Sequence, residues 1–81
     1  MSYEELKKKI QDIIKLVYNN LGAGYQEIVY QRALENELIL EGIKFESERV
    51  IPIYYNGLVI GSLRADVVVH HDSHSVIIEV F

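Results

Sequence analysis

Three carboxylates in this sequence stand where chemistry is possible: Glu27, Asp66 and Glu79. Asp66 lies in Arg64-Ala65-Asp66-Val67-Val68-Val69 and Glu79 in Ile77-Ile78-Glu79-Val80, each among apolar residues. Charged side chains are rarely buried without a partner, and a desolvated lone carboxylate is costly. If the chain reverses in an even-numbered loop centred between Asp72 and Ser73, Asp66 falls opposite Glu79, with Cβ atoms about 4.5–5.5 Å apart on one face. Two carboxylates that close repel each other unless a cation lies between them. A hard cation, Mg2+ or Mn2+, takes such oxygens and keeps several waters. It can then polarise a phosphoryl oxygen and activate a bound water. Asp66 and Glu79 are therefore the candidate metal ligands. Glu27, if its helix crosses the sheet, is a candidate third ligand or water-orienting base.

Each carboxylate also has a plainer reading, and both stay open at this level. Glu27 in a first helical turn stabilises the helix start by about 0.3–1 kcal/mol. Asp66 could bridge to Arg49 or Arg64 as a structural pair. His70, His71 and His74 crowd a polar turn, but so short a loop does not converge three imidazoles, and no zinc site is expected. Gly22-Ala23-Gly24 follows a helix and lacks the lysine of a phosphate-binding loop. No Ser/His/acid or Cys/His arrangement is apparent.

The elements that must position these groups follow from periodicity. Ser2 and Glu5 form a capping-box signature. Leu6, Ile10, Ile13, Ile14 and Val17 then recur at helical steps, which predicts a helix over about 3–19. Asn19-Asn20 and Gly22-Ala23-Gly24 break it. A second helix is predicted from near Gly24 to Glu41, with Ile28, Ala33, Leu34 and Leu38 on its apolar face and Gly42 at the left-handed C′ position. The pattern then turns β-rich. A strand over 43–55 carries Pro52, which marks an edge strand or a bulge. Asn56-Gly57 is a hairpin turn. The next strand, 58–70, contains Gly61 and should bend there. A third strand runs over 75–81. The fold predicted is α+β: an αα-hairpin on a three-stranded antiparallel meander.

The bulk numbers bound the class. The 81 residues suffice for one domain, residues 1–81, which hides only about 60–65% of its unfolded surface. There is no cysteine, hence no disulfide and no thiolate metal site. The Met-Ser-Tyr-Glu-Glu start lacks the features of a signal peptide, and no apolar run approaches the roughly 20 residues of a membrane span. A cytoplasmic location is expected, with no membrane partner. The net charge of −4 argues against an indiscriminate nucleic-acid binder. It leaves open an enzyme that acts on nucleic acid through a local site. Lys7-Lys8-Lys9 reads as a solvated helix face. Val76-Ile77-Ile78-Glu79-Val80-Phe81 is apolar on both faces, unlike a protected edge strand, so a homo-oligomer built through that strand is expected.

Gly24-Tyr25-Gln26-Glu27-Ile28-Val29-Tyr30 matches the motif that names the GxxExxY family. Ala33–Leu38 with Gly42–Glu46, Ile53–Gly57, Arg64-Ala65-Asp66 and Val76–Glu79 follow in the family's order and spacing. The chain thus resembles a GxxExxY protein of the PD-(D/E)XK nuclease-like superfamily. That resemblance implies a core of helix, three antiparallel strands, helix and strand, and metal-dependent phosphodiester hydrolysis of a nucleic acid. It implies Asp66 as the superfamily aspartate, Glu79 as the acidic residue of the (D/E)XK motif and Glu27 as the helical glutamate. Two residues after Glu79 the motif lysine is replaced by Phe81. The chain stops there, so an incomplete core is expected, with activity absent or impaired. The alternative is a non-catalytic interaction or self-assembly module using the C-terminal strand.

Overall fold

A computed structural model of the chain describes residues 1–80. Helix α1 spans Tyr3–Leu21 and α2 spans Glu27–Leu40. Strands β1 (Lys44–Tyr55), β2 (Leu58–His71) and β3 (His74–Ile78) form one antiparallel sheet in the order β1-β2-β3. The α+β architecture expected from the sequence is the one observed.

Local chemistry sets the ends of the helices. The Ser2 hydroxyl accepts from Glu5 N at 3.2 Å, and Glu5 Oε1 accepts from Ser2 N at 3.4 Å, closing the capping box. At the end of α2, Gly42 N donates to the Ile39 carbonyl and Ile43 N to the Leu38 carbonyl, both at 3.0 Å. This pair of bonds is a Schellman motif, and it needs the left-handed φ of 71° at Gly42. Glu27 opens α2 rather than Gly24, because Gly24 takes a φ of 105° outside helical space.

The hairpins also follow the sequence. Asn56 and Gly57 have φ of 49° and 80°, as a type I′ turn requires, and Tyr55 pairs with Leu58 across it. Pro52 lies in an edge strand, where its missing N–H costs no ladder bond. The bend expected at Gly61 is a register shift one residue earlier: Ile53 pairs with Gly61, Tyr54 with Val59, and Ile60 is the extra residue. In the second hairpin His71 pairs with His74 and Val67 with Ile78, so the loop is Asp72-Ser73 as expected.

The core lies between the helices and one sheet face. Leu6, Ile10 and Ile13 of α1 meet Leu34 and Leu38 of α2 and Val67, Val69 and Ile78 of the sheet. Each such side chain contributes about 1.5–3 kcal/mol when fully buried. Ile28 departs from the predicted α2 face and is exposed. The buried stripe instead passes through Tyr30, Gln31, Leu34, Glu35 and Leu38. Two of its members are polar, so a hydrophobic pattern could not find it.

The third strand is shorter than the 75–81 expected. Its ladder ends at Ile78 because the next inward N–H, that of Val80, bonds to a side chain instead of a main-chain carbonyl. Val76 and Ile78 face the helices while Ile77 points away and is exposed, so the described part of the strand alternates. Phe81 lies outside the described residues.

Candidate functional site

Asp66 sits at the centre of the sheet where both ladders are interrupted. On one side Ser47 pairs with Val67 and Arg49 with Ala65, so Glu48 is in line with Asp66. Glu48 has a φ of 55°, a strained left-handed conformation for glutamate, and forms no regular pair. On the other side Val67 pairs with Ile78, so continuing the register would bring Glu79 level with Asp66. There the Asp66 side chain takes over from the backbone: Oδ2 accepts from Val80 N at 2.8 Å.

The surroundings divide the three sequence-derived candidates. Asp66 and Glu27 line one open cleft, together with Ile28, Gln31, Glu48 and Arg64. Glu27 is the first residue of α2 and is exposed, close to the positive end of the helix dipole. Glu79 is exposed and does not line that cleft; it borders the groove between β3 and α1, beside Ile14 and Ile78. The structural pairing of Asp66 with Arg49 or Arg64 is not formed. Arg49 is 2.9 Å from Glu46, and Arg64 is 3.0 Å from Glu48.

Behind the cleft lies a network that sequence reasoning missed. Glu35 is buried, and its carboxylate accepts from Arg32 Nη1 at 2.8 Å, Ser47 Oγ at 2.8 Å and Gln31 Nε2 at 3.1 Å. Gln31 Nε2 also lies 3.3 Å from the Asp66 carbonyl oxygen. Burial pushes the Glu35 carboxyl up, but the hydrogen bonds from Arg32, Gln31 and Ser47 outweigh it and leave it below the ordinary glutamate value. The network thus ties α2 to β1 and to the backbone of Asp66. Gln31 and Glu35, four residues apart in phase with Leu34 and Leu38, were the available signal.

The Gly24–Tyr30 segment has a packing role as well. The Tyr30 hydroxyl donates to the Gly22 carbonyl at 2.7 Å and accepts from Tyr25 N at 3.3 Å. Its ring stacks on Tyr18 at 4.8 Å between centroids. This fixes the loop that delivers Glu27 to the start of α2.

The sheet face turned away from the helices carries a row not foreseen from the sequence. Ser75 Oγ lies 3.1 Å from His70 Nδ1, and Glu46 Oε2 lies 3.1 Å from His70 Nε2. The hydrogen bond from His70 is the main reason the Glu46 carboxyl falls below its ordinary value. Glu46 and Ser75 are exposed and His70 is partly so. The row is a cross-strand polar contact on an open surface.

A model of the PD-(D/E)XK nuclease superfamily matches residues 4–80. The chain belongs to the PD-(D/E)XK nuclease superfamily. No curated protein and no solved structure matches it. Members of the superfamily generally use Mg2+ or Mn2+. The cleft sets the carboxylates of Glu27, Glu48 and Asp66 beside the Gln31 amide, and oxygen donors of this kind are what a hard cation selects. Among the described residues, however, no three metal-ligating side chains already converge. Also among them, no helix is long and apolar enough to cross a membrane.

Proposed function

We propose that this superfamily member is a GxxExxY-type nuclease whose site is centred on Asp66, built for metal-dependent phosphodiester hydrolysis of a nucleic acid and impaired by Phe81. The observation that carries the reading is the interrupted ladder at Asp66. Its carboxylate is held by Val80 N through Oδ2, so Oδ1 is the oxygen it can offer a cation. Glu79 is its neighbour in the continued register and supplies the second ligand once its side chain turns across. Glu27 lines the same cleft as Asp66 and serves as third ligand or orients the attacking water. When bound, Mg2+ supplies Lewis acidity to a phosphoryl oxygen and acidifies water. Arg64, at the cleft with Glu48, is a cation that a phosphodiester can meet.

Phe81 occupies the position expected for a lysine. A phenyl ring cannot orient water or stabilise developing negative charge. The deciding comparison is nuclease activity of the parent chain, Phe81→Lys and Phe81→Lys with Asp66→Asn, in Mn2+ and in chelator. Restoring one charge-stabilising group should raise cleavage by about 10²–10³-fold, and the second substitution should abolish the gain. An inert Phe81→Lys protein that binds Mn2+ no better than its Asp66→Asn partner would refute the reading.

The alternative, a non-catalytic module assembling through the C-terminal strand, draws less support. In the described part of that strand Val76 and Ile78 are occupied by the core, leaving Ile77 as the exposed apolar side chain. Most of the exposed apolar surface is elsewhere.

A further inference from the structure

The β1–β2 hairpin projects beyond the helices. Every residue from Pro52 to Arg64 is exposed. The Cα radius of gyration is 14.2 Å, with extents of 45 × 32 × 17 Å, whereas a compact chain of this length would have about 12 Å. Six residues on each side of the turn extend roughly 20 Å, which accounts for the elongation.

This arm has the wrong surface for a solvated hairpin. From Val50 to Leu63 there is no Asp, Glu, Lys, Arg or His, in a chain that is 25% charged. By register and alternation, Ile51, Ile53, Tyr55, Leu58, Gly61 and Leu63 share the face that, nearer the core, lies under the helices. On the arm none of the described residues covers it: Tyr55 is 65% and Leu58 69% exposed. The other face carries Tyr54, 64% exposed, and Val59, 59% exposed. Summed over its two faces, about half on each, such exposures leave on the order of 800 Å² of apolar side chain in water at one end of the molecule, where an ordinary monomer's largest patch is a few hundred Å².

We infer that the arm is a dimerisation surface, and that its occupant is the arm of a second copy of this chain. Two facts select that partner. Taken over both faces, as in two arms that wrap around each other, the exposed area is about the 800 Å² per partner of a stable dimer. The arm is also the long stretch of the chain where two molecules of net charge −4 can touch without opposing like charges. An uncharged patch is self-complementary, as a two-fold interface requires. A nucleic acid is disfavoured, because the arm offers no cation to phosphate. The inference does not depend on the nuclease reading.

Sedimentation of the full chain at tens of micromolar tests it. The expected result is twice the 9.4 kDa monomer mass. Tyr55→Glu with Leu58→Glu should weaken association by at least about 30-fold, the loss of a hot-spot contact, with an unchanged far-ultraviolet circular dichroism spectrum. Ile77→Glu, on the C-terminal strand, should leave the dimer intact. Because the chain has no cysteine, Leu58→Cys gives an independent readout: it should cross-link to a dimer with a short bis-maleimide, whereas Asp12→Cys on α1 should not. A monomeric parent chain overturns the inference, whether or not it co-sediments with lipid vesicles. So does a dimer lost in Ile77→Glu but kept in the arm variant, or equal cross-linking from both cysteines.

Discussion

Val80 N donates to Asp66 Oδ2 at 2.8 Å, so a side chain of β2 closes the ladder that β3 leaves open. The carboxylate proposed to hold a cation is therefore also a structural acceptor. The two duties separate by substitution.

Asp66→Ala strands the Val80 N–H and should destabilise the fold by about 1–2 kcal/mol. Asp66→Asn keeps an acceptor oxygen and should cost less than about 1 kcal/mol. Both should lose Mn2+ binding, since neither retains the anion. Urea melts beside a Mn2+ titration measure the two quantities. An Asn variant that binds Mn2+ like the parent removes Asp66 from the metal site.

Glu35 should act as a pH-dependent brace. Its folded carboxyl lies below the ordinary value, so the folded state binds a proton less readily than the unfolded chain. Its contribution is complete at neutral pH. It declines as pH falls through the ordinary glutamate range and vanishes below the folded value. Glu35→Gln should cost about 1–3 kcal/mol at pH 7, where charge-assisted bonds from Arg32 and Ser47 are weakened. The loss should be smaller at acid pH, below the ordinary glutamate range, than at pH 7. Denaturant midpoints at the two pH values check both sign and size.

Tyr30→Phe removes the hydroxyl that bonds Gly22 and Tyr25. The stacked ring remains. The expected cost is about 0.5–1.5 kcal/mol, or a fall in Tm of several degrees for a domain near this length. Faster amide exchange at Tyr25 should accompany it. Unchanged exchange there would show that the hydroxyl does not hold the loop.

Gly42→Ala tests the Schellman cap. An added Cβ would meet nothing within 4 Å, so crowding is not the issue. The φ of 71° is, and an alanine there should cost about 1–2 kcal/mol. Gly42→Asn should cost less, because Asn tolerates the left-handed region. Thermal melts of the pair rank the two.

Read alone, the sequence was enough to settle the α+β order, the capping box at Ser2, the Gly42 stop, both turns and the register of the second hairpin. Those features depend on interactions within a few residues, or on an alternation that one buried face enforces. Continued one pair past Val67 and Ile78, the same register would put Asp66 level with Glu79. Which groups share a surface was decided only by packing. The packing of α2 against the sheet brings Glu27, Glu48 and Asp66 to one cleft and leaves Glu79 outside it. The buried Gln31–Glu35 stripe escaped a hydrophobic pattern because polar residues satisfied by one another can occupy an inward face. Likewise, the uncharged run from Val50 to Leu63 is plain in the sequence. That it lies beyond the reach of both helices, bare on two faces, is a property of the folded chain alone.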